Sequence, residues 1–338
     1  MVKAVVIKRD ELRPFKLKQS ALGVILFLAF HNRKRTLIDK VRNKLATTGY
    51  RALRALNIKS DGVAVSTASG REFRFDSKNA QFHAIYQYHD RGYEPDVMAV
   101  IRVFLPSDGV FVDVGANWGY FSIAIADDQS FHGTVISVEA FQPSFEDLVS
   151  VKSQLSLPDS KIATECMALS DDVGEIYLSG TAKIYSGLIK VSDNPTGTKV
   201  KKDRLDNLSL ERVDVIKLDV EGHELAVLRG ALETIRKTRP VIVMESNYST
   251  TETNEAEIGA LTFLKNLGYE LFIPMLSDER EGRLGLNLKQ LTGEALFLRG
   301  LRFEPSQRGF FSRRLNVLAI PAGHRFFNDY SLETRECS

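Results

Sequence analysis

Residues 112–121 read Val-Asp-Val-Gly-Ala-Asn-Trp-Gly-Tyr-Phe, an apolar strand carrying one acid, then two glycines, then the start of an apolar helix. Gly115 and Gly119 would let a ligand approach the backbone closely, which a Cβ would obstruct. Their Gly-x-x-x-Gly spacing is not the Gly-x-Gly-x-x-Gly of dinucleotide sites, so a nicotinamide dehydrogenase is disfavoured. A second strand, Val135-Ile136-Ser137-Val138, ends at Glu139, where a carboxylate can accept both hydroxyls of a ribose. A third, Val215-Ile216-Lys217-Leu218, ends at Asp219, the end of an α/β strand that presents ligands. Asp219 is the expected catalytic carboxylate, able to take a proton from a hydroxyl as the oxygen reacts. His223 is a second candidate for that proton, although a histidine in this place is more often a helix-surface residue. Glu221 and Glu224 stand where the next helix opens, and free N–H groups there favour carboxylates, so capping is expected for Glu224. Glu245 ends a fourth strand with Asn247 two residues on, and with Asp219 they would suit Mg²⁺. Three strand-end oxygens also arise by chance, and no metal is assigned.

The elements that must carry these residues follow from apolar periodicity and turn signals. Strands are expected at Val110–Val114, Thr134–Val138, Lys161–Met167, Glu175–Ser179, Val213–Leu218, Val241–Glu245, Tyr269–Pro274, Ala295–Leu298 and Asn316–Ile320. Helices are expected at Trp118–Ala126, Pro143–Leu155, Glu224–Lys237 and Glu255–Leu267, the last closed by Gly268. Strands interleaved with helices of this length give an α/β fold, a doubly wound parallel sheet covered on both faces. Ahead of it, Val63–Phe75 reads as a hairpin turning at Ser69-Gly70, and Ala80–Leu105 as a helix broken by Tyr93-Glu94-Pro95.

Charge is uneven along the chain. Residues 1–60 carry 15 Lys/Arg and 3 Asp/Glu, whereas the rest carries 30 and 40. So basic a segment calls for an anionic partner, lipid or nucleic acid. Within it, Ala21–Phe30 is a ten-residue apolar run between Lys16 and Lys18 on one side and Arg33-Lys34-Arg35 on the other. Spanning a bilayer takes about 20 such residues, and no small-residue cleavage site follows the run. A helix docked on the catalytic domain and an interfacial helix on an anionic membrane both remain, the first favoured. Residues 34–60 read as a basic helix. Two cysteines, Cys166 and Cys337, have no metal spacing and form no disulfide framework, which suits a reducing, cytoplasmic setting. Cys166 reads as a small buried thiol.

Taken together, Val112–Phe121, the strand ending at Glu139, Ala168–Gly174, Arg204-Leu205-Asp206-Asn207-Leu208, the block Lys217–Leu225 and Tyr93-Glu94-Pro95 resemble the FkbM family of methyltransferases. The resemblance covers about residues 90–250, more loosely to about 322, and departs locally at Gln142, which lengthens the link from Glu139 to Pro143. It implies a Rossmann-like methyltransferase sheet using S-adenosylmethionine. Asp113, Gly115, Ala116, Asn117 and Gly119 would surround the methionine part, Glu139 the ribose, and Ala168 and Leu169 the adenine. Glu94 joins the cofactor set, and Asp219, Glu221 and His223 the catalytic one. The acceptor implied is a hydroxyl of a sugar, glycan or secondary metabolite.

The expected organisation is a basic helical extension (1–60), a hairpin and helical lead-in (61–108), a methyltransferase domain (109–322) and a C-terminal tail (323–338). Within the domain, residues 276–315, with Arg280, Arg283, Arg299, Arg302 and Arg308, are expected to help shape the acceptor site. An RNA methyltransferase holding phosphates with residues 1–60 is a weaker reading, because the basic arm lacks interleaved aromatics for base stacking. A non-catalytic cofactor-binding module is weaker still, since Asp113, Glu139 and Asp219 are all present.

Overall fold

The computed structural model describes residues 6–18, 44–45, 48, 61–76, 79–86, 92–179, 190–192, 197–248, 255–278, 284–285 and 295–324. The strands are β1 (Val6–Lys8), β2 (Phe15–Leu17), β3 (Asp61–Ser66), β4 (Glu72–Asp76), β5 (Val110–Val114), β6 (Thr134–Val138), β7 (Ile162–Glu165), β8 (Ala168–Leu169) and β9 (Gly174–Ser179). They continue as β10 (Lys190–Ser192), β11 (Thr198–Asp203), β12 (Val215–Leu218), β13 (Val241–Asn247), β14 (Tyr269–Asp278), β15 (Leu284–Gly285), β16 (Ala295–Arg302) and β17 (Arg314–Pro321). The helices are α1 (His83–Tyr86), α2 (Pro95–Phe104), α3 (Tyr120–Ala126), α4 (Gln142–Gln154), α5 (Glu224–Gly230), α6 (Leu232–Thr238) and α7 (Glu255–Asn266).

The main sheet runs β1-β16-β14-β17-β13-β12-β5-β6-β7, with β15 paired to β14. Strands β7, β6, β5, β12 and β13 are parallel. Beyond β13 the pairings are antiparallel, so the expected parallel sheet describes one half of the whole. From β5 the chain winds outward through β6 and β7, then returns to β12 on the other side of β5. That reversal opens a crevice at the carboxyl ends of β5 and β12, where open α/β sheets bind ligands. Alternate residues of the central strands enter two separate cores. Phe111, Val135, Val215 and Val243 lie in one, and Val112, Val114, Ile216 and Met244 in the other. Both faces are therefore covered, which is why these strands read as continuous apolar runs.

The hairpin forms as β3 and β4, with Gly70 in the left-handed region its turn requires (φ +72°). The helical lead-in is broken as expected, with α2 starting at Pro95. Two expectations change. The helix expected over Glu224–Lys237 is split at Ala231 into α5 and α6. The break falls where the Gly230 backbone lies on Ser170, and a Cβ there would sit 1.8 Å from the Ser170 carbonyl oxygen. The strand expected over Lys161–Met167 stops at Glu165, and the chain crosses to β8, which pairs with β11 in a second sheet.

Residues 6–17 are also not helical. They form β1, a 3-10 turn at Arg9–Leu12, and β2, and they bury Ile7, Leu12 and Phe15 in the core. Their partners β16 and β3 would otherwise present unpaired edges. The apolar run Ala21–Phe30, all but three residues of the basic stretch 34–60, and residues 325–338 lie outside the described residues. Cys166 is half-buried rather than buried, its thiol donating to Gln142 Oε1 at 3.1 Å.

Candidate active site

The loop after β5 is tied to β6. Gly115 and Ala116 donate to the Val138 carbonyl at 2.9 and 3.1 Å, and Asn117 donates its N–H to Glu139 Oε2 at 2.8 Å. Both glycines are also required by close approach within the protein, which the sequence did not show. A Cβ on Gly115 (φ +73°) would sit 1.9 Å from the Asp219 carbonyl oxygen, and one on Gly119 (φ +90°) 2.4 Å from Leu148 Cδ1. Gly115 thus lets the two strand-end loops of the crevice touch. Residues 79–86 pack on this loop. The Asn117 amide donates to Gln81 Oε1 and the Trp118 indole to the Gln81 carbonyl (3.1 Å), while Trp118 packs on Phe82 with centroids 4.8 Å apart.

Glu139 stands at the end of β6 with Oε2 accepting from Asn117 and Oε1 from the Phe141 N–H, 2.8 Å each. Burial raises its pKa, opposed by those two N–H groups and then by Lys217. Gln142 opens α4, so the longer link to Pro143 is absorbed in the first helical turn. Ala168 and Leu169 form β8 with both side chains buried.

Asp113 is fully buried, so it holds other residues of the site and offers no surface to a ligand. Ser122 Oγ donates to its Oδ2 at 2.7 Å, and the Lys217 ammonium lies 3.3 Å from its Oδ1. Lys217 is 4% exposed, 3.6 Å from Asp219 Oδ2 and 3.4 Å from the Gly115 carbonyl. Burial alone would strip its charge. The carboxylates of Asp113, Asp219 and Glu94 outweigh burial and raise its pKa, so it stays an ammonium. Sequence reasoning passed over this residue, yet a signal was there. A lysine inside an otherwise apolar, four-residue buried strand must have charged partners.

Asp219 faces a group of acids. Its carboxylate and those of Glu221 and Glu245 lie within 4.8 Å of one another. Glu94 adjoins them at the start of α2 (φ +41°), and a narrow cleft brings it together with Lys217, Asp219 and Glu245. Burial, then Asp219, pushes the Glu94 pKa well above the usual carboxylate range, with Lys217 opposing. Burial and then Asp219 likewise raise Glu245, and lift Glu221 (φ +52°) to about 7. Arg314, unforeseen from sequence, is the cation facing this group. Its Nε is 3.2 Å from Glu245 Oε1 and its Nη2 3.6 Å from Glu221 Oε1. Asn247 donates to Glu245 Oε2 (3.0 Å) and accepts from Arg314 Nε (3.2 Å), so both ends of its amide are engaged. The oxygen set weighed for Mg²⁺ is thus met by a guanidinium.

His223 stands apart from the cleft, its ring nitrogen 3.0 Å from Ser170 Oγ. Glu224 is buried and accepts from the Gly222 and Val220 N–H groups at 3.1 and 3.4 Å, a capping role for the loop after β12. Burial raises its pKa to about 7. Of the arginines expected near the acceptor, Arg308 is fully buried and structural, Arg299 bonds Ser277 Oγ, and Arg302 pairs with Glu270. Arg280 and Arg283 lie outside the described residues.

Comparison with known proteins bears on this crevice directly, because residues 113–271, from Asp113 past Glu245, match the methyltransferase FkbM domain. That match spans just under half of the chain. Over 195 residues it is 27% identical to the hexuronic acid methyltransferase AglP of Haloferax volcanii, covering 57% of this chain and 77% of that protein. A solved FkbM methyltransferase from Methylobacillus flagellatus is 16% identical with a TM-score of 0.41, covering 69% of this chain and 49% of that one. An O-methyltransferase from Bacillus cereus, solved with SAH, is 14% identical with a TM-score of 0.35, covering 66% of this chain and 77% of that one. Beside the FkbM match, the strand order and the switch point identify the fold as a Rossmann-like methyltransferase sheet.

Proposed function

We propose that this protein is an S-adenosylmethionine-dependent O-methyltransferase acting on a hydroxyl of a sugar, glycan or related metabolite. The observation that carries the proposal is Glu139, a half-buried acid at a strand end beside the switch point. Each of its oxygens takes one backbone N–H and keeps acceptor capacity. That acceptor chemistry fits a pair of ribose hydroxyls. The residues that would hold the cofactor are Glu139 and the loop Gly115–Gly119, with Ala168 and Leu169 toward the base.

Bound S-adenosylmethionine supplies an electrophilic methyl group on a sulfonium. The chain's own part is to present the oxygen and remove its proton. Asp219, beside the Lys217 ammonium, is the group placed to accept that proton. Asp113 and Ser122 fix Lys217, and Lys217 sits 3.6 Å from Asp219 Oδ2. Much of the rate must come from positioning, because an alcohol is a weak acid and a weak nucleophile. Labelled methyl donor, incubated with the full chain and a panel of hexose glycosides and hexuronic acids, tests the reading. Transfer to oxygen, lost in Asp219→Asn, is expected, and absence of both donor binding and transfer would refute it.

A further inference from the structure

Beside the cleft lies a cavity of about 410 Å³ between the start of α2, β14 and β17. It shares Glu94 and Asn316 with the cleft that holds Lys217, Asp219 and Glu245, so it adjoins the strand end where a proton would be taken. Its size falls within the range of small-molecule sites. We propose that this cavity binds the methyl acceptor and that it takes a neutral, polyhydroxylated ring in preference to an anionic one. The proposal rests on the methyltransferase reading above.

The two walls differ in kind. One is apolar, built from Ile273, Pro274 and Met275 of β14 with Leu301, Phe311 and Leu315. It offers a surface for the C–H face of a sugar ring, where hydration is weak. The other is polar and rich in acceptors. Glu94 and Asp96 contribute carboxyl groups, and the Asn316 amide donates to Asp96 Oδ2 at 2.8 Å. Carboxyl oxygens suit the hydroxyls of a polyol, each of which brings a donor.

Charge excludes an anion. Among the described residues lining the cavity, Arg314 is the single cation, and it is already engaged by Glu245, Glu221 and Asn247. A carboxylate or phosphate entering here would come up against a group of acids whose negative charge this site already disfavours, for burial and then Asp219 raise the pKa values of Glu94, Glu221 and Glu245. Like charges set against each other at a contact surface are a strong means of rejecting a partner.

The test uses the full chain, S-adenosylmethionine, methyl glycosides of glucose, galactose and mannose, and the matching hexuronic acids. The expected result is methyl transfer to at least one neutral glycoside with kcat/KM at least about tenfold above its uronic acid, the discrimination that like-charge contact imposes. Leu301→Trp and Met275→Trp, which fill the cavity from different strands, should each raise the acceptor KM about tenfold or more. Both should bind S-adenosylmethionine within about twofold of the parent, which also shows that they fold. With cofactor binding intact, the inference is overturned by any of three results: no neutral glycoside methylated, the uronic acid preferred, or transfer unchanged in both tryptophan variants. Loss of cofactor binding by the parent chain itself would instead overturn the methyltransferase reading beneath it.

Discussion

Two of the buried cations, Arg308 and Lys217, are held in opposite ways. Arg308 is saturated by uncharged partners: Ser246 Oγ and the carbonyls of Ser246 (2.8 Å), Ser312 (2.9 Å) and Arg313 (2.9 Å). Burial pulls its pKa below the usual guanidinium value. Lys217 has one long hydrogen bond to a carbonyl and otherwise sits 3.3–3.6 Å from two carboxylates. Carboxylates raise its pKa despite burial. The first arrangement is a staple that fixes the chain from β13 to β17. The second couples the cation to two carboxylates, one of which, Asp219, lines the cleft. Buried charge therefore marks a site when its partners are themselves ionisable and face a cavity, and marks architecture when they are saturated backbone groups.

Removing each cation is the strongest way to break that contrast. Arg308→Met should destabilise by about 3–5 kcal/mol, because several buried carbonyls and the Ser246 hydroxyl lose their donor together. The deficit should rise only modestly with pH, since the hydrogen-bond partners do not titrate and the acid Glu257 meets the guanidinium through the Ser246 hydroxyl. Lys217→Met should also destabilise, but its deficit should grow more steeply with pH. Without the ammonium, fully buried Asp113 keeps Ser122 Oγ as its hydrogen-bond partner and loses its cation, a cost largest where carboxylates are ionised and least in acid. Denaturant melts of both variants at acid and neutral pH check the two slopes, and equal slopes would remove the distinction. Next in size, Asp219→Asn should lower turnover about 100-fold while keeping cofactor affinity. Single-turnover rates against calorimetric affinity separate the two quantities.

A buried anion sharpens the comparison further. Glu224 is held by N–H groups of its own loop, and burial lifts its pKa from 4.5 to about 7. Its folded pKa lies above the unfolded one, so its contribution to stability falls as pH rises from about 4.5 to about 7 and then levels off. Glu224→Gln should therefore gain on the parent chain across that window, as read by thermal melts at its two ends. Smallest is the effect expected at the basic front end. Because residues 6–17 supply two strands and core side chains, deleting residues 1–60 would damage the fold whatever the partner. Charge reversal of Arg33, Lys34 and Arg35 is the cleaner test. If residues 1–60 rest on an anionic membrane, each lost contact should weaken vesicle binding by about 1 kcal/mol. Cosedimentation unchanged by the reversal would set the membrane reading aside. Among the described residues, no helix is long and apolar enough to cross a bilayer.

The parallel half of the sheet was legible because strands buried on both faces leave continuous apolar runs, and Val110–Val114 and Thr134–Val138 form at the expected bounds. The antiparallel far half and the strands of residues 6–17 were not, because three-residue edge strands such as Val6–Lys8 owe their form to a distant partner. At the site, Asp219 and Glu139 were readable from their places after apolar strands. Arg314 and Asn316 were not, for they meet Glu245 and Glu94 only through the β13–β17 pairing, whose register sets Glu245 opposite Asn316. Gly115 has a further reason to lack a Cβ that the sequence did not show. Its missing Cβ makes room for the Asp219 carbonyl, a contact between segments more than a hundred residues apart.

The central claim is that the crevice between β5 and β12 binds S-adenosylmethionine with Glu139 on the ribose, and calorimetric titration of the cofactor into the parent chain and Glu139→Ala tests it most directly. The parent should bind, and the variant should bind more weakly by about 2–3 kcal/mol, the worth of hydrogen bonds to an ionised acceptor, while keeping a cooperative melt. Equal affinity in the two folded proteins would take Glu139 out of the site and contradict the account.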